Sequence, residues 1–195
     1  MSAAVPIEFF SDRPWTEADF LALPDSRSRI ELLDSELLVS PAAGSPHQRM
    51  SFRFCIVLER ARPDGLEVLE AVNVRVDPGT ILIPDLVVVR RPGTGTVVWD
   101  AVDVLMVVEI VSPGSARADR AVKPQLYAAA GIAHYLRIEL GASGTGPSAV
   151  GYELRDGRYV EVVRADPGER LRLASPFPVD VDLGELFAAD RPPLG

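Results

Sequence analysis

Residues 104–131 read VLMVVEIVSPGSARADRAVKPQLYAAAG. Five consecutive apolar residues lead to one acid, Glu109, and Ile110 and Val111 follow before a Ser-Pro-Gly-Ser turn. A near-continuous apolar run predicts a strand covered on both faces. Charged side chains are almost never fully buried unless they are paired or bound to a metal. Asp85 interrupts the apolar run of TILIPDLVVVR in the same way. If the two strands are neighbours, their carboxylates lie side by side, and such like charges repel unless a cation stands between them. Mg²⁺ suits that position, because it takes oxygen ligands and commonly uses one or two carboxylates. Each acid could instead lie where its strand emerges into solvent, or cap a backbone group.

Outward from these strands, the chain alternates helix and strand signals. Thr16 can cap a short helix, with Glu17 and Asp19 in its first turn and Pro24 beyond its end. RIELLDSELLVSP reads as a hairpin turning at Asp34 and Ser35, where a tight turn would prefer Gly at the second position. Ser45 is expected as an N-cap, with Pro46 at N1 and Gln48 completing a capping box. The helix should run to about Ala61 and bury Met50, Phe54, Val57, Leu58 and Ala61. LEVLEAVNVRV alternates as one half-buried strand. TILIPDLVVVR reads as a second strand, bent or bulged at Pro84. After residues 104–111 a helix ends before Gly131, which suits C′. AHYLRIEL is a further strand, and GYELRDGRYVEVV is a hairpin around Asp156 and Gly157. The fold class is α+β, with helices packed on a mixed or antiparallel central sheet.

The chain has 195 residues, 47% hydrophobic and 25% charged, which suits one domain. Its core spans about residues 15–165, followed by a Pro-rich tail over 166–195 with a short apolar run at its centre. A single Cys55 excludes an internal disulfide framework. The start lacks the basic and apolar regions of a signal peptide, and no stretch has the roughly 20 apolar residues that span a bilayer. A cytoplasmic location is therefore expected. A net charge of −8 counts against constitutive salt-driven binding to nucleic acid, so any such binding must rest on a local site.

The segment after Glu109 supplies three cations, Arg117, Arg120 and Lys123. Lys123 and Tyr127 stand four apart and share a helix face. Pro124 disfavours helical backbone at Lys123, so the helix begins near Lys123 or carries a kink.

IPD, then VVEIVSP, then DRAVKPQLYAAAGIAHY together resemble the Uma-two family of restriction-endonuclease-like proteins, within the PD-(D/E)XK nuclease superfamily. The resemblance extends from WTEADFLALP through RIELLDSELLVSP and SPHQR to the strand containing Tyr135. It implies a restriction-endonuclease-like core and a metal-dependent endonuclease acting on nucleic acid, DNA rather than RNA. Asp85 and Glu109 would ligate Mg²⁺ or Mn²⁺ with the backbone carbonyl of Ile110, and Glu31 would complete or orient that site. The superfamily pattern places a lysine two residues after the second acid, where this chain has Val111. The resemblance therefore assigns Lys123, from the following helix, to orienting water and stabilising charge. It also implies substrate contacts from His47, Arg120 and Tyr127. Cutting both strands of a duplex needs two sites, so a homodimer is expected. Leu136 stands where the family often has Trp. The competing reading is a catalytically silent nuclease-like scaffold that acts as a binding or regulatory protein. A Ser or Cys hydrolase is disfavoured, because no nucleophile-elbow motif is present and Cys55 lies in an apolar helix.

Overall fold

In the computed structural model, residues 13–24, 28–40, 42–90, 92–93, 95–111, 118–141 and 145–188 are described. The strand that carries Glu109, β8 (Val104–Val111), lies inside a six-stranded mixed sheet. One neighbour is the antiparallel β6 (Leu86–Val89), and the other is the parallel β9 (His134–Glu139). Beyond β6 lies the edge strand β3 (Glu67–Glu70). Beyond β9 lies the hairpin of β10 (Ser148–Arg155) and β11 (Arg158–Ala165). Parallel neighbours require a crossover connection. Here it contains a π-helical turn over residues 118–122 and the helix α3 (Lys123–Ala129), with Gly131 at a φ of +79° just past its end. The regular α-helix begins at Lys123, one of the two outcomes expected from Pro124, and the π-helical turn leads directly into it.

A second, five-stranded sheet holds β1 (Arg29–Leu33), β2 (Glu36–Ser40), β4 (Asn73–Asp77), β5 (Thr80–Leu82) and β7 (Val98–Asp100). Its strand order is β2-β1-β5-β4-β7. Each of the two stretches read as one strand is therefore two strands in different sheets. LEVLEAVNVRV divides at Ala71, whose φ is +50°, and TILIPDLVVVR divides at Ile83, Pro84 and Asp85. The two breaks meet, since the Ala71 N–H donates to the Asp85 carbonyl at 3.1 Å. Pro84 has no N–H to give a ladder, which accounts for the second break.

β8 feeds two cores, which explains its unbroken apolar character. Met106, Val108 and Ile110 pack with Met50, Phe54 and Leu58 of α2 (Ser45–Ala61). Val104 and Val107 pack on the other side with Tyr127 of α3 and with Val74 and Leu82 of the second sheet. The segment after residue 165 also joins the α2 core. It forms the hairpin of β12 (Arg170–Leu173) and β13 (Val179–Asp182), then α4 (Leu183–Phe187), and buries Leu171, Phe177 and Leu186 there.

The helix starts follow their local signals in one case and depart from them in the other. The first helix, α1 (Glu17–Leu21), has the expected Thr16 cap, and Asp19 completes a capping box. The start of α2 differs. Gly44 is the N-cap, no side chain caps the helix, and Ser45 is already its first residue. Proline is tolerated in the first turn because an N–H there has no intrahelical acceptor, so shifting the start by one residue costs little. Both tight hairpins have positive φ at both turn residues: +49° and +63° at Asp34 and Ser35, and +49° and +75° at Asp156 and Gly157. That is the turn that matches strand twist. Among the described residues, no helix is long and apolar enough to cross a membrane.

Candidate active site

Asp85 sits where the chain passes from the second sheet to β6. Its carboxylate takes the place a backbone acceptor would hold beside β8: Oδ2 accepts the Ile110 N–H at 2.7 Å. Nε2 of His47, the third residue of α2, lies 3.0 Å from the same oxygen, and Arg29 Nη2 donates to Oδ1 at 2.6 Å. Burial would raise the Asp85 carboxyl, but the hydrogen bond from His47, the charges of Arg29 and His47, and the Ile110 N–H outweigh it. The group is held below the usual carboxylate range. Burial likewise opposes the Arg29 charge, yet Asp85, Glu109 and Glu31 raise its pKa further.

Glu109 and Glu31 meet through Lys123. The ammonium lies 3.0 Å from Glu31 Oε1 and 3.2 Å from Glu109 Oε1. One helical turn later, Tyr127 donates its hydroxyl to Glu109 Oε1 at 2.7 Å, so this residue both packs and bonds. Burial, and then the charges of Glu109 and Glu31, push the Tyr127 hydroxyl well above its ordinary value. Glu31 Oε1 also accepts the Ile83 N–H at 2.8 Å, tying the first hairpin to the residue two before Asp85. Glu31 and Glu109 are each 1% exposed, and Asp85 and Lys123 each 3%. Three buried acids from three parts of the chain thus share one site.

The structure brings together Glu31, Asp85, Glu109, Lys123, His47, Tyr127 and the Ile110 backbone. Arg120 stands apart from these contacts, exposed and bonded to Glu139 through two nitrogens at 2.9 and 2.8 Å. Arg117 lies outside the described residues. Two participants were missed in the sequence, Arg29 and the Ile83 N–H. Arg29 had a usable signal, because it stands two residues before Glu31 and so projects from the same face of β1. His47 turns inward and is 7% exposed, and its Nδ1 is buried without a hydrogen-bond partner.

Among the described residues, three carboxylates against Lys123 and Arg29 sum to a charge of −1 when His47 is neutral. In kind, carboxylate oxygens with residual negative charge fit a hard divalent cation. In geometry, the protein's own cations hold those oxygens, and no group of three or more His, Cys, Asp or Glu side chains converges on one point among the described residues. Among the described residues, therefore, no more than two such side chains meet at one point.

The family model whose description reads "Putative restriction endonuclease", Uma2, matches residues 17–185. The chain belongs to the Uma2 family. Every residue of the site falls inside the matched region. The fold of this Uma2 member is similar to the crystal structure of a protein from Anabaena variabilis described as a "putative nuclease belonging to DUF820". The TM-score is 0.67 at 16% identity, over 89% of this chain and 98% of that one, a likeness that shows a shared fold. No curated protein matches the chain.

Proposed function

We propose that this Uma2 member is a metal-dependent endonuclease that hydrolyses phosphodiester bonds, DNA rather than RNA, with Mg²⁺ or Mn²⁺. The supporting observation is that Lys123 contacts both Glu31 and Glu109 in a site that also encloses Asp85. Asp85, Glu109 and the Ile110 carbonyl would hold the ion, which when bound polarises the scissile phosphate and acidifies the attacking water. Glu31 holds Lys123 in place through its 3.0 Å contact. Lys123 supplies the donor that Val111 cannot, orienting the water and balancing charge on the phosphoryl oxygens. Tyr127 fixes Glu109, while Arg29 and His47 fix Asp85 and keep it ionised. Two copies would serve the two strands of a duplex.

The test is incubation with plasmid and with short single-stranded DNA, with Mg²⁺, with Mn²⁺ and with a chelator, beside Asp85→Asn. Cleavage should need the metal and fall by about a hundredfold in the variant, since even the outer-shell partners of metal ligands are typically worth about 10–100-fold. Metal-dependent cleavage that survives Asp85→Asn would remove the site from the reaction.

One observation favours the silent-scaffold reading: the carboxylates are already held by Arg29, His47 and Lys123, as a purely structural polar cluster would be. Calorimetry separates the two. Heat of Mg²⁺ or Mn²⁺ binding that disappears in Asp85→Asn supports the enzyme, and no binding at millimolar ion supports the scaffold.

A further inference from the structure

Arg29 differs from the rest of the site in how far solvent reaches it. The side chains of Glu31 and Glu109 are 1% exposed, Asp85 2%, Lys123 4% and His47 8%, whereas that of Arg29 is 26% exposed. It stands on β1 two residues before Glu31, so it shares the face that carries the acid. Of the side chains gathered here, Arg29 is the one at the mouth.

Its guanidinium also has donors to spare. An arginine carries five N–H donors. Among the described residues, the hydrogen bond that Arg29 makes with its side chain is the one from Nη2 to Asp85 Oδ1. Other arginines of this chain spend the guanidinium on two acceptors and so tie parts of the fold together. Arg53 donates to the Leu186 and Ala188 carbonyls, Arg90 to the Val102 and Val104 carbonyls, and Arg75 to Glu17 and Asp100. The clamp on Asp85 occupies Nη2 alone and leaves Nε and Nη1 with N–H groups to give. Lys123, the other cation of the site, lies deeper, between Glu31 and Glu109.

We propose that Arg29 is a substrate contact as well as a clamp: it keeps its bond to Asp85 and gives its remaining N–H groups to the non-bridging oxygens of the phosphodiester that enters the site. Arginine suits this double use, because its fork of donors matches phosphate and it stays charged. Three carboxylates repel a phosphodiester, so a cation must meet it where it arrives, and that place is Arg29. A chain of net charge −8 adds to the need, since its overall field repels the substrate. The proposal rests on the nuclease reading and adds to it the residue that receives the substrate's charge.

The experiment compares wild type with Arg29→Ala and Arg29→Lys in three measurements. Binding of short fluorescein-labelled duplex DNA is followed across a salt series in chelator, cleavage kinetics are taken at saturating Mg²⁺, and calorimetry reads Mg²⁺ alone. Thermal melting checks that each variant folds. Losing a charged contact should weaken DNA binding by about tenfold or more in Arg29→Ala. The slope of log K against log salt should fall by about one, and the Michaelis constant should rise by a factor similar to the loss of affinity. Arg29→Lys keeps the charge and loses the fork, so it should keep the slope and recover part of the affinity. A role confined to Asp85 would show only in the metal: Arg29→Ala that weakens Mg²⁺ binding yet keeps wild-type DNA affinity, slope and Michaelis constant overturns the contact, and the nuclease reading stands. Where Arg29→Ala does not fold, Arg29→Lys decides: affinity below wild type at an unchanged slope supports the contact, and wild-type affinity overturns it. Wild type that neither binds nor cuts DNA overturns both readings.

Discussion

Each acid in this site is balanced by a partner from elsewhere in the chain. Lys123 offers the most direct test, since it bridges two of the site's carboxylates. Replacing it with Met keeps the length of the side chain and removes the charge. Glu31 and Glu109 would then face each other in a buried setting with no ammonium between them. Breaking a buried ion pair by removing one partner typically costs about 3–5 kcal/mol. Urea unfolding of Lys123→Met should show a loss in that range, and added Mg²⁺ should restore part of it if the ion takes the vacated charge role. Of these residues, Glu109 and Asp85 were legible as acids inside apolar runs, and Lys123 with Tyr127 were legible from their four-residue spacing. Arg29 was less visible. An arginine at the start of a strand looks like a solvated edge until the fold places Asp85 against it.

The elements show a similar division between local and distant causes. Alternation with period two correctly marked residues 67–77 and 80–89 as strand, but it reports only which face a side chain takes, not which sheet the strand joins. Pro84 announced one of the two breaks, whereas Ala71 gave no composition signal: it has a positive φ, and its N–H donates to the distant Asp85 carbonyl. The first hairpin offers a direct test. Ser35 holds a φ of +63° between backbone hydrogen bonds to Gly79 and from Trp15. A residue with a Cβ in that region is strained by roughly 1–2 kcal/mol relative to its normal conformations, and glycine is not. Ser35→Gly should therefore raise the unfolding free energy, by up to about 1 kcal/mol once the greater freedom of glycine in the unfolded chain is subtracted. An unchanged or lowered denaturant midpoint would show that the turn is not strained.

Across the whole molecule, two sheets meet along the line where the chain changes from one to the other, and the three acids lie on that line. α2 with the final hairpin and α4 closes one side of the larger sheet, while α3 and the smaller sheet close the other. The closing segment follows residue 165, so a chain ended at Ala165 would expose the core around Met50, Phe54 and Leu58. Fully burying a large apolar side chain contributes about 1.5–3 kcal/mol. Losing Leu171, Phe177, Val181 and Leu186 together therefore removes about 6–12 kcal/mol, as much as the whole stability of a typical domain. The truncated chain should lose its cooperative thermal transition, followed by circular dichroism. The sequence by itself determined the fold class through apolar periodicity and turn residues, which are local, and the family through its ordered motifs, which also proposed the acids and lysine of the candidate site. Only the tertiary structure decided that two apparent strands are four, and that Arg29 and His47 clamp Asp85. Those contacts join residues distant in the chain, and the pairing of one strand with another is a property of the folded sheet.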